Sequence, residues 1–171
     1  MLRNRILIQN TDITCIHCDA IINAANNHLL GGGGVDGAIH HRAGPELLEA
    51  CRKLAGCETG KAKITAGFRL PAKYIIHSVG PVWLGGRSGE MQLLESCYHE
   101  CLKLAVANKC KIVAFPNIST GIYGFPKQKA AAIAIKTVSE FLSMNQLPEK
   151  VIFACFDAVN LEIYNSIYSA G

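Results

Sequence analysis

Segments with the pattern of β-strands alternate with segments of helical periodicity through the second half of this chain of 171 residues. The second strand segment, 19–25, is almost continuously apolar, which is typical of a strand buried on both faces of a sheet. This alternation predicts an α/β fold in which helices cover both faces of a mostly parallel sheet. The expected strands are 5–9, 19–25, 62–68, 73–80, 111–116 and 150–156. The expected helices are 35–55, broken at Gly44-Pro45, then 89–110, 127–144 and 160–169.

The composition is that of a globular domain, with 50% hydrophobic and 18% charged residues, and this balance excludes a disordered chain. The length is typical of one domain, which we expect to span residues 1–171. No apolar stretch approaches the roughly 20 residues of a membrane span, so no membrane association is expected. The first residues have too short an apolar patch for a signal peptide and are better interpreted as a first strand. These features predict a cytoplasmic protein.

Eight cysteines raise the question of disulfides or a metal site. Cys15 and Cys18 form the motif CIHC, but a zinc site needs a second pair of ligands at suitable spacing, and none is evident. Without an export signal, reduced thiols in a cytosolic protein are the better interpretation. We therefore expect neither a zinc site nor a catalytic cysteine.

Two glycine-rich loops follow predicted strands, one after Ala25 and the other after Pro116. Ligands of open α/β sheets bind at the carboxyl ends of the strands, where such loops meet. Both loops lead into predicted helices, whose free N-terminal N–H groups attract anions. The net charge of +4 also suits a phosphate-bearing ligand, but the basic residues are scattered and do not form a nucleic-acid site. The two loops are therefore the best candidates for a binding site.

The first loop contains four consecutive glycines, Gly31 to Gly34, and Asp36 follows them closely. Glycine loses more conformational freedom on folding than any other residue. The run is therefore either a flexible connector or a place where the backbone approaches a ligand too closely for a side chain. It matches neither a Walker A loop nor a convincing dinucleotide fingerprint. Asp36 is interpreted either as a favourable charge at a helix N-terminus or as a general base that positions a water.

The remaining polar candidates each have a structural alternative. Hydroxyl residues and glycines around Tyr123 in the second loop can donate to a ligand, whereas Tyr123 alone would more simply pack against apolar neighbours. Asn23, Asn26 and Asn27 can bind ribose hydroxyls or form turns. Asp12 can accept a hydrogen bond from a purine amine or cap a turn. The six histidines show no triad-like spacing with a nucleophile and are interpreted as structural.

Four segments, taken in order, form a specific combination of motifs: TDIT, DAIINAANNHLLGGGGVDGAIHHRAGPELLEAC, GCETGKAKITAGFRLPAKYIIHSVGP and ISTGIYGFP. This combination resembles the macrodomains of the MacroD type, from about residue 5 to the last helix, and most closely their bacterial O-acetyl-ADP-ribose deacetylases. The resemblance implies a three-layer α/β/α domain with a mixed, mostly parallel six-stranded sheet. It also implies that ADP-ribose binds in a cleft across the top of the sheet.

The resemblance further implies roles for individual residues. Asp36 would be the catalytic acidic residue, and Asn26 would contact the distal ribose as the second catalytic residue. Asp12 would hold the adenine amine, with the Ile13 backbone N–H nearby, and Phe156 would lie against the adenine. Residues of the asparagine motif and of the two loops would complete the ligand site: Asn23, Gly32, Gly33, Gly34, Val35, Ser119, Thr120, Gly121, Ile122 and Tyr123.

The chain departs from the family pattern at a few positions. Thr11 stands where glycine is usual, Arg42 occupies a normally small position near the first loop, and Asn27 replaces a proline or small residue. A metal-dependent branch of the family has Cys and His ligands after its asparagine motif. Beyond His28 this loop has only Leu and Gly, so neither a metal ion nor another cofactor is expected.

Three functions are compatible with these features. The leading hypothesis is an ester hydrolase that acts on O-acetyl-ADP-ribose and on mono-ADP-ribose attached to protein Asp or Glu, with ADP-ribosylated proteins as partners. The second is a reader that binds ADP-ribose without cleaving it. The third is an RNA-binding or regulatory protein, which the scattered basic residues and the lack of an aromatic and basic platform disfavour.

Overall fold

Six strands form one mixed sheet in the computed structural model, which describes residues 4–171. The strands are β1 (Ile6–Asn10), β2 (Cys18–Ala25), β3 (Ala62–Ala66), β4 (Ala72–Val79), β5 (Ile112–Phe115) and β6 (Lys150–Cys155). Their order across the sheet is β1-β6-β5-β2-β4-β3. All neighbours are parallel except β3, which pairs antiparallel with β4 at the sheet edge. The predicted mixed, mostly parallel six-stranded sheet is confirmed.

Five helices cover the two faces of the sheet: α1 (Gly34–Ala43), α2 (Pro45–Leu54), α3 (Glu90–Ala107), α4 (Lys127–Met144) and α5 (Ala158–Ala170). Successive residues of a strand point to opposite faces, so Ile21 packs in the core beneath α1 and α2, while Ile22 packs in the core beneath α3 and α4. The fold is therefore the expected three-layer α/β/α arrangement. No helix within residues 4–171 is long and apolar enough to cross a membrane.

The predicted break in the first long helical segment is confirmed at Gly44. This residue has φ +88°, a conformation that favours glycine, and its N–H closes α1 on the His40 carbonyl. Pro45 is in the first turn of α2, where a backbone N–H would have no acceptor within the helix, so proline sacrifices no hydrogen bond there. The two helices pack separately instead of continuing as one rod.

Two local features differ from the sequence-based expectation. The predicted strand 62–68 ends at Ala66, because the chain turns back at Gly67, whose N–H bonds to the Lys73 carbonyl. A short 3₁₀ helix, Ile13–Cys15, follows β1 and was not expected. It is too short to leave a periodic signal in the sequence.

Five strands of the sheet are parallel and end at the same edge, and four of them, β1, β6, β5 and β2, lie side by side. β2 lies in the middle, paired with β5 through Ala20 and Val113, and β5 continues to β6 and then β1. The loops after these four strands consequently open on one side. This places the first glycine loop beside the second, as the strand directions predict.

Candidate functional site

A cleft of about 580 Å³ lies at this carboxyl edge of the sheet. Its walls contain nearly all the residues expected there, although they come from four separate loops: Asp12, Ile13, Asn26, Gly32, Gly33, Gly34, Val35, Asp36, Ser119, Thr120, Gly121, Ile122, Tyr123 and Phe156. The sequence interpretation had not singled out Lys127, Asp157 and Asn160, which also line it. Lys127 starts α4, Asp157 caps α5 and Asn160 lies in the first turn of α5, and only their proximity in space marks them.

The glycine loop leaves its backbone open to the cleft. Gly33 has an extended conformation, φ −92° and ψ −173°, which any residue can adopt, and a Cβ placed there would contact no protein atom within 4 Å. Within the described residues, the Gly33 N–H has no hydrogen-bond acceptor. The fold itself therefore does not require glycine at position 33. An unobstructed backbone N–H at a helix N-terminus is instead suited to an anionic or hydroxyl-bearing ligand.

Asp36 lies in the first turn of α1 and is only 5% exposed, although it borders the cleft. Its Oδ1 accepts a hydrogen bond of 2.8 Å from the Asn23 side-chain amide. His40, one turn later, places Nε2 3.5 Å from the same oxygen. Burial raises the pKa of the Asp36 carboxyl above its usual range, and the Asn23 hydrogen bond and His40 offset part of that rise. The result is a carboxylate of increased basicity at the wall of the cleft.

Asn23 does not contact the cleft, so its expected role as a direct ligand contact is corrected. It is completely buried in β2, on the same side of the strand as Ile21 and Ala25, because strand residues two apart share a face. Its amide nitrogen lies between Asp36 and His77 Nδ1, at 2.8 and 3.1 Å. It supports Asp36 from below.

Asn26 borders the cleft and also organises the glycine loop. Its Oδ1 accepts the N–H groups of His28 and Leu29 at 3.1 and 3.2 Å, and its Nδ2 donates to the Gly31 carbonyl at 3.0 Å. The turn-forming interpretation therefore applies to Asn26 whether or not it also contacts a ligand. Asn27 points elsewhere and donates to the Cys57 carbonyl.

Two histidines, His40 and His77, also belong to this site, and the sequence interpretation missed both of them. His40 follows Asp36 by four residues, a spacing that places two side chains on the same face of a helix, so this signal was present in the sequence. His77 is completely buried on β4, and burial lowers its pKa to about 3, with a further contribution from the charge of His40. Its position opposite Asn23 results from the pairing of β2 with β4, which no local pattern reveals.

The second loop presents a strained and unsatisfied residue to the cleft. Ser119 has φ +64°, which is unfavourable for a residue with a side chain, and its buried hydroxyl has no hydrogen-bond partner among residues 4–171. The loop is nevertheless fixed, because the Phe125 N–H bonds to the Ser119 carbonyl and the Trp83 N–H bonds to the Tyr123 carbonyl. Ile122 at the tip is 92% exposed. The loop therefore holds a free hydroxyl donor opposite the glycine loop.

The far end of the cleft lies between Asp12 and Phe156. Asp12 Oδ1 accepts from both the N–H and the hydroxyl of Thr14, at 2.9 and 2.7 Å, so this carboxylate does cap the 3₁₀ turn. These hydrogen bonds lower the pKa of Asp12, and they leave Oδ2 outside the turn. The Phe156 side chain is 84% exposed beside the cleft. An exposed ring next to a charged acceptor is suited to a planar, amine-bearing ligand.

None of the eight cysteines is among the residues that line the cleft. All eight are unpaired thiols, and six of them are buried. Among residues 4–171, no group of three or more His, Cys, Asp or Glu side chains is arranged to hold a metal ion.

Comparison with known proteins identifies the family. The macro domain model matches residues 22–134. The chain is 61% identical to a macro domain-containing protein of Chlorobaculum tepidum over 94% of this chain and 93% of that protein. It is 53% identical to the O-acetyl-ADP-ribose deacetylase of Escherichia fergusonii over 97% of this chain and 96% of the relative. The solved macrodomain of Oceanobacillus iheyensis with ADP aligns with a TM-score of 0.92 and 44% identity, over 95% of this chain and 89% of that one. The chain belongs to the macro domain family.

Proposed function

We propose that this protein binds ADP-ribose in the cleft and hydrolyses the ester of O-acetyl-ADP-ribose. The adenine would lie between Asp12 and Phe156, and the diphosphate would cross the N-terminus of α1 below Ser119. The distal ribose would then reach Asp36. The similar deacetylase of Escherichia fergusonii supports the reaction, and the ADP in the Oceanobacillus iheyensis macrodomain supports the ligand class.

The observation that carries this proposal is the environment of Asp36. Its Oδ1 is occupied by the Asn23 amide, whereas its Oδ2 lies on the side of Gly32, where a Cβ would be 3.2 Å away. Oδ2 is thus the oxygen that can accept a proton from a water in the cleft. The raised pKa brings the carboxyl closer to the range in which a general base is effective.

The proposed reaction follows from that placement. The water held by Asp36 attacks the acetyl carbonyl carbon as its proton passes to Oδ2. The bond between that carbon and the ribose oxygen then breaks, the ribose oxygen takes the proton held on Oδ2, and the acid product leaves and ionises to acetate. The free N–H groups of the glycine loop and the Ser119 hydroxyl hold the diphosphate and ribose during both steps.

The same site supports a second substrate of the same bond type. Mono-ADP-ribose on a protein Asp or Glu is also attached through an ester at the distal ribose, so Asp36 would meet the same kind of carbonyl. The exposed Ile122 stands at the edge of the cleft that such a protein would approach. We propose that the enzyme also removes mono-ADP-ribose from acidic side chains.

One assay tests the proposal directly. The purified protein is incubated with O-acetyl-ADP-ribose, with and without a chelator, and acetate release is followed, while ADP-ribose binding is measured by calorimetry. We expect 1:1 binding and release that the chelator does not abolish. Binding without release would instead identify a reader, and no binding at millimolar ligand would remove both functions.

Peptides extend the test to the second substrate. A peptide mono-ADP-ribosylated on Glu should lose its modification, whereas the same peptide modified on Arg, through a bond that is not an ester, should remain intact. Release from both peptides would contradict the proposed ester mechanism.

A further inference from the structure

A buried chain of four hydrogen-bonding side chains runs from the cleft across β2 and β4 to β3, the outermost strand on that side of the sheet. It connects Asp36 on α1, Asn23 on β2, His77 on β4 and Thr65 on β3, and all four are buried. The successive distances are 2.8 Å from Asn23 Nδ2 to Asp36 Oδ1, 3.1 Å from Nδ2 to His77 Nδ1, and 2.9 Å from His77 Nε2 to Thr65 Oγ1. Each of these three contacts needs a donor on one side and an acceptor on the other, because an unmatched pair inside the protein is costly.

The donors and acceptors in this chain fix the state of His77. An ionised Asp36 only accepts hydrogen bonds, so the Asn23 group beside it must be the amide nitrogen and not the oxygen. The second N–H of that nitrogen then points to His77 Nδ1, which must be the unprotonated nitrogen of the ring. The proton of the imidazole therefore lies on Nε2, facing Thr65. Burial keeps His77 neutral, in agreement with this arrangement, by lowering its pKa to about 3.

We propose that His77 is a positioning residue for the reaction at Asp36, because it anchors the Asn23 amide that holds the carboxylate in place. This inference rests on the proposed ester hydrolysis. His77 does not border the cleft, so it would act only through Asn23. Without an acceptor at Nδ1, the amide is free to rotate, and Asp36 loses its fixed donor.

The other groups around Asp36 do not replace that donor. His40 of the same helix lies 3.5 Å from Oδ1 without forming a hydrogen bond. Cys51 of α2 is a buried thiol whose pKa burial raises to about 11, so it carries no charge there and lies against His77 Nε2 at 3.8 Å. Within residues 4–171, Asn23 of β2 gives the single direct hydrogen bond to Asp36. Losing that bond should make the carboxylate harder to ionise, since burial then acts with less compensation.

The first test uses the unmodified protein and does not depend on activity. Long-range ¹H–¹⁵N spectra distinguish the two nitrogens of each imidazole. We expect His77 to carry its proton on Nε2 at neutral pH and to remain in that state through the pH range where exposed histidines titrate. A proton on Nδ1, or an ordinary titration of His77, would overturn the inference.

The second test compares two substitutions of His77. His77→Leu removes the acceptor, whereas His77→Asn keeps an oxygen near the former Nδ1. For His77→Leu we expect kcat to fall by ~10- to 100-fold, a loss typical of residues that orient a functional side chain through a hydrogen bond. KM and the ADP-ribose Kd should change little, and the acid limb of the pH profile should move to higher pH. His77→Asn should recover part of both effects.

Ile76→Val is the matched control, since Ile76 is the preceding residue of β4 and packs in the other core. If the wild-type protein releases acetate and His77→Leu behaves like this control, the inference is wrong while the proposed function stands. If the wild-type protein releases none, the proposed function itself fails. Should His77→Leu not fold, Thr65→Val decides: removing the partner of Nε2 should lower kcat and shift the acid limb in the same direction, and an unchanged pH profile would contradict the inference.

Discussion

Two loops of this protein share several features but use their backbone N–H groups in opposite ways. Each follows a buried strand, contains several glycines and leads into a helix whose first turn carries a buried carboxylate. After β2 the glycine loop leads to Asp36, and after β4 the segment 80–89 leads to Glu90. Asp36 is 5% exposed and Glu90 is 2% exposed, so burial alone does not distinguish them.

The difference lies in where each loop directs its backbone donors. The segment before α3 folds onto its own carboxylate, and Glu90 accepts the N–H groups of Leu84, Gly86 and Ser88 at 2.8, 3.0 and 2.7 Å. Burial alone would raise the pKa of Glu90, but these donors outweigh it and lower the pKa to about 2. Glu90 is therefore ionised at neutral pH, and its role is structural.

The glycine loop keeps its donors free. Asp36 receives one side-chain amide and no backbone N–H from the described part of the chain, and its pKa is raised. The N–H of Gly33 remains available to a ligand. A glycine-rich loop before a buried carboxylate therefore indicates a binding site only when its backbone N–H groups do not form hydrogen bonds within the loop.

The largest expected effect separates the two carboxylates by activity. Asp36→Ala should lose ~100- to 10,000-fold in turnover, the usual contribution of a general base. Its ADP-ribose affinity should stay within about tenfold, or ~1.4 kcal/mol, because the backbone holds the bound ligand whereas Asp36 acts on water in the transition state. Acetate release and calorimetry measure the two quantities.

Asp36→Asn sharpens this prediction, since it keeps an oxygen acceptor that can orient a water but is a much weaker base. If orientation contributes, Asp36→Asn should lose less turnover than Asp36→Ala. Undiminished turnover in both variants would show that Asp36 takes no part in the reaction. Asp36 and Glu90 would then not differ in function.

The next largest effect distinguishes the glycines of the loop after β2 from those of the segment 80–89. Gly33→Val places its side chain in open space within the cleft, so we expect the Kd for ADP-ribose to rise by about tenfold or more, ~1.4 kcal/mol, without loss of thermal stability. Gly86 has φ +84°, and a Cβ there would lie 2.7 Å from the Trp83 ring. Gly86→Val should instead lower the melting temperature.

These two variants serve as controls for each other, with binding measured by calorimetry and stability by thermal unfolding. Unchanged affinity in Gly33→Val would mean that the first loop is only a connector. An unchanged melting temperature in Gly86→Val would mean that the segment 80–89 is not held by its own packing.

The extent to which the sequence predicts these features differs between fold and site. The sheet, the helices and the meeting of the two glycine loops follow from the sequence pattern, because hydrophobic periodicity is local and strands that alternate with helices form a parallel sheet. The burial of Asn23 could also have been predicted from the sequence, since it shares a strand face with Ile21 and Ala25. By contrast, the contact of Asn23 with His77 depends on strand register. The closure of a loop on Glu90 likewise depends on backbone geometry that residue types do not specify.

The smallest expected effect concerns stability and has opposite signs for the two carboxylates. Glu90 has its pKa lowered from the ordinary value of 4.5 to about 2, so its contribution to stability is complete above pH 4.5 and is lost as pH falls towards about 2. Asp36 has its pKa raised above 3.8, so its contribution to stability is complete below pH 3.8 and is lost as pH rises through its folded pKa. At neutral pH, ionised Glu90 therefore stabilises the fold, whereas ionised Asp36 opposes it.

Neutral isosteres test this difference. At neutral pH, Glu90→Gln should lower the melting temperature, because one oxygen is replaced by an amide that cannot accept the backbone N–H groups it faces. Asp36→Asn should leave the melting temperature unchanged or raise it, since removing a buried charge relieves its desolvation while an oxygen can still accept from Asn23. Glu95→Gln, on the exposed face of α3, is the control and should change little. Repeating the scans towards pH 2 should reduce the gap between Glu90→Gln and the wild-type protein, because Glu90 itself then becomes protonated. A gap that persists there, or a loss of stability in Asp36→Asn equal to that in Glu90→Gln, would show that both carboxylates are structural.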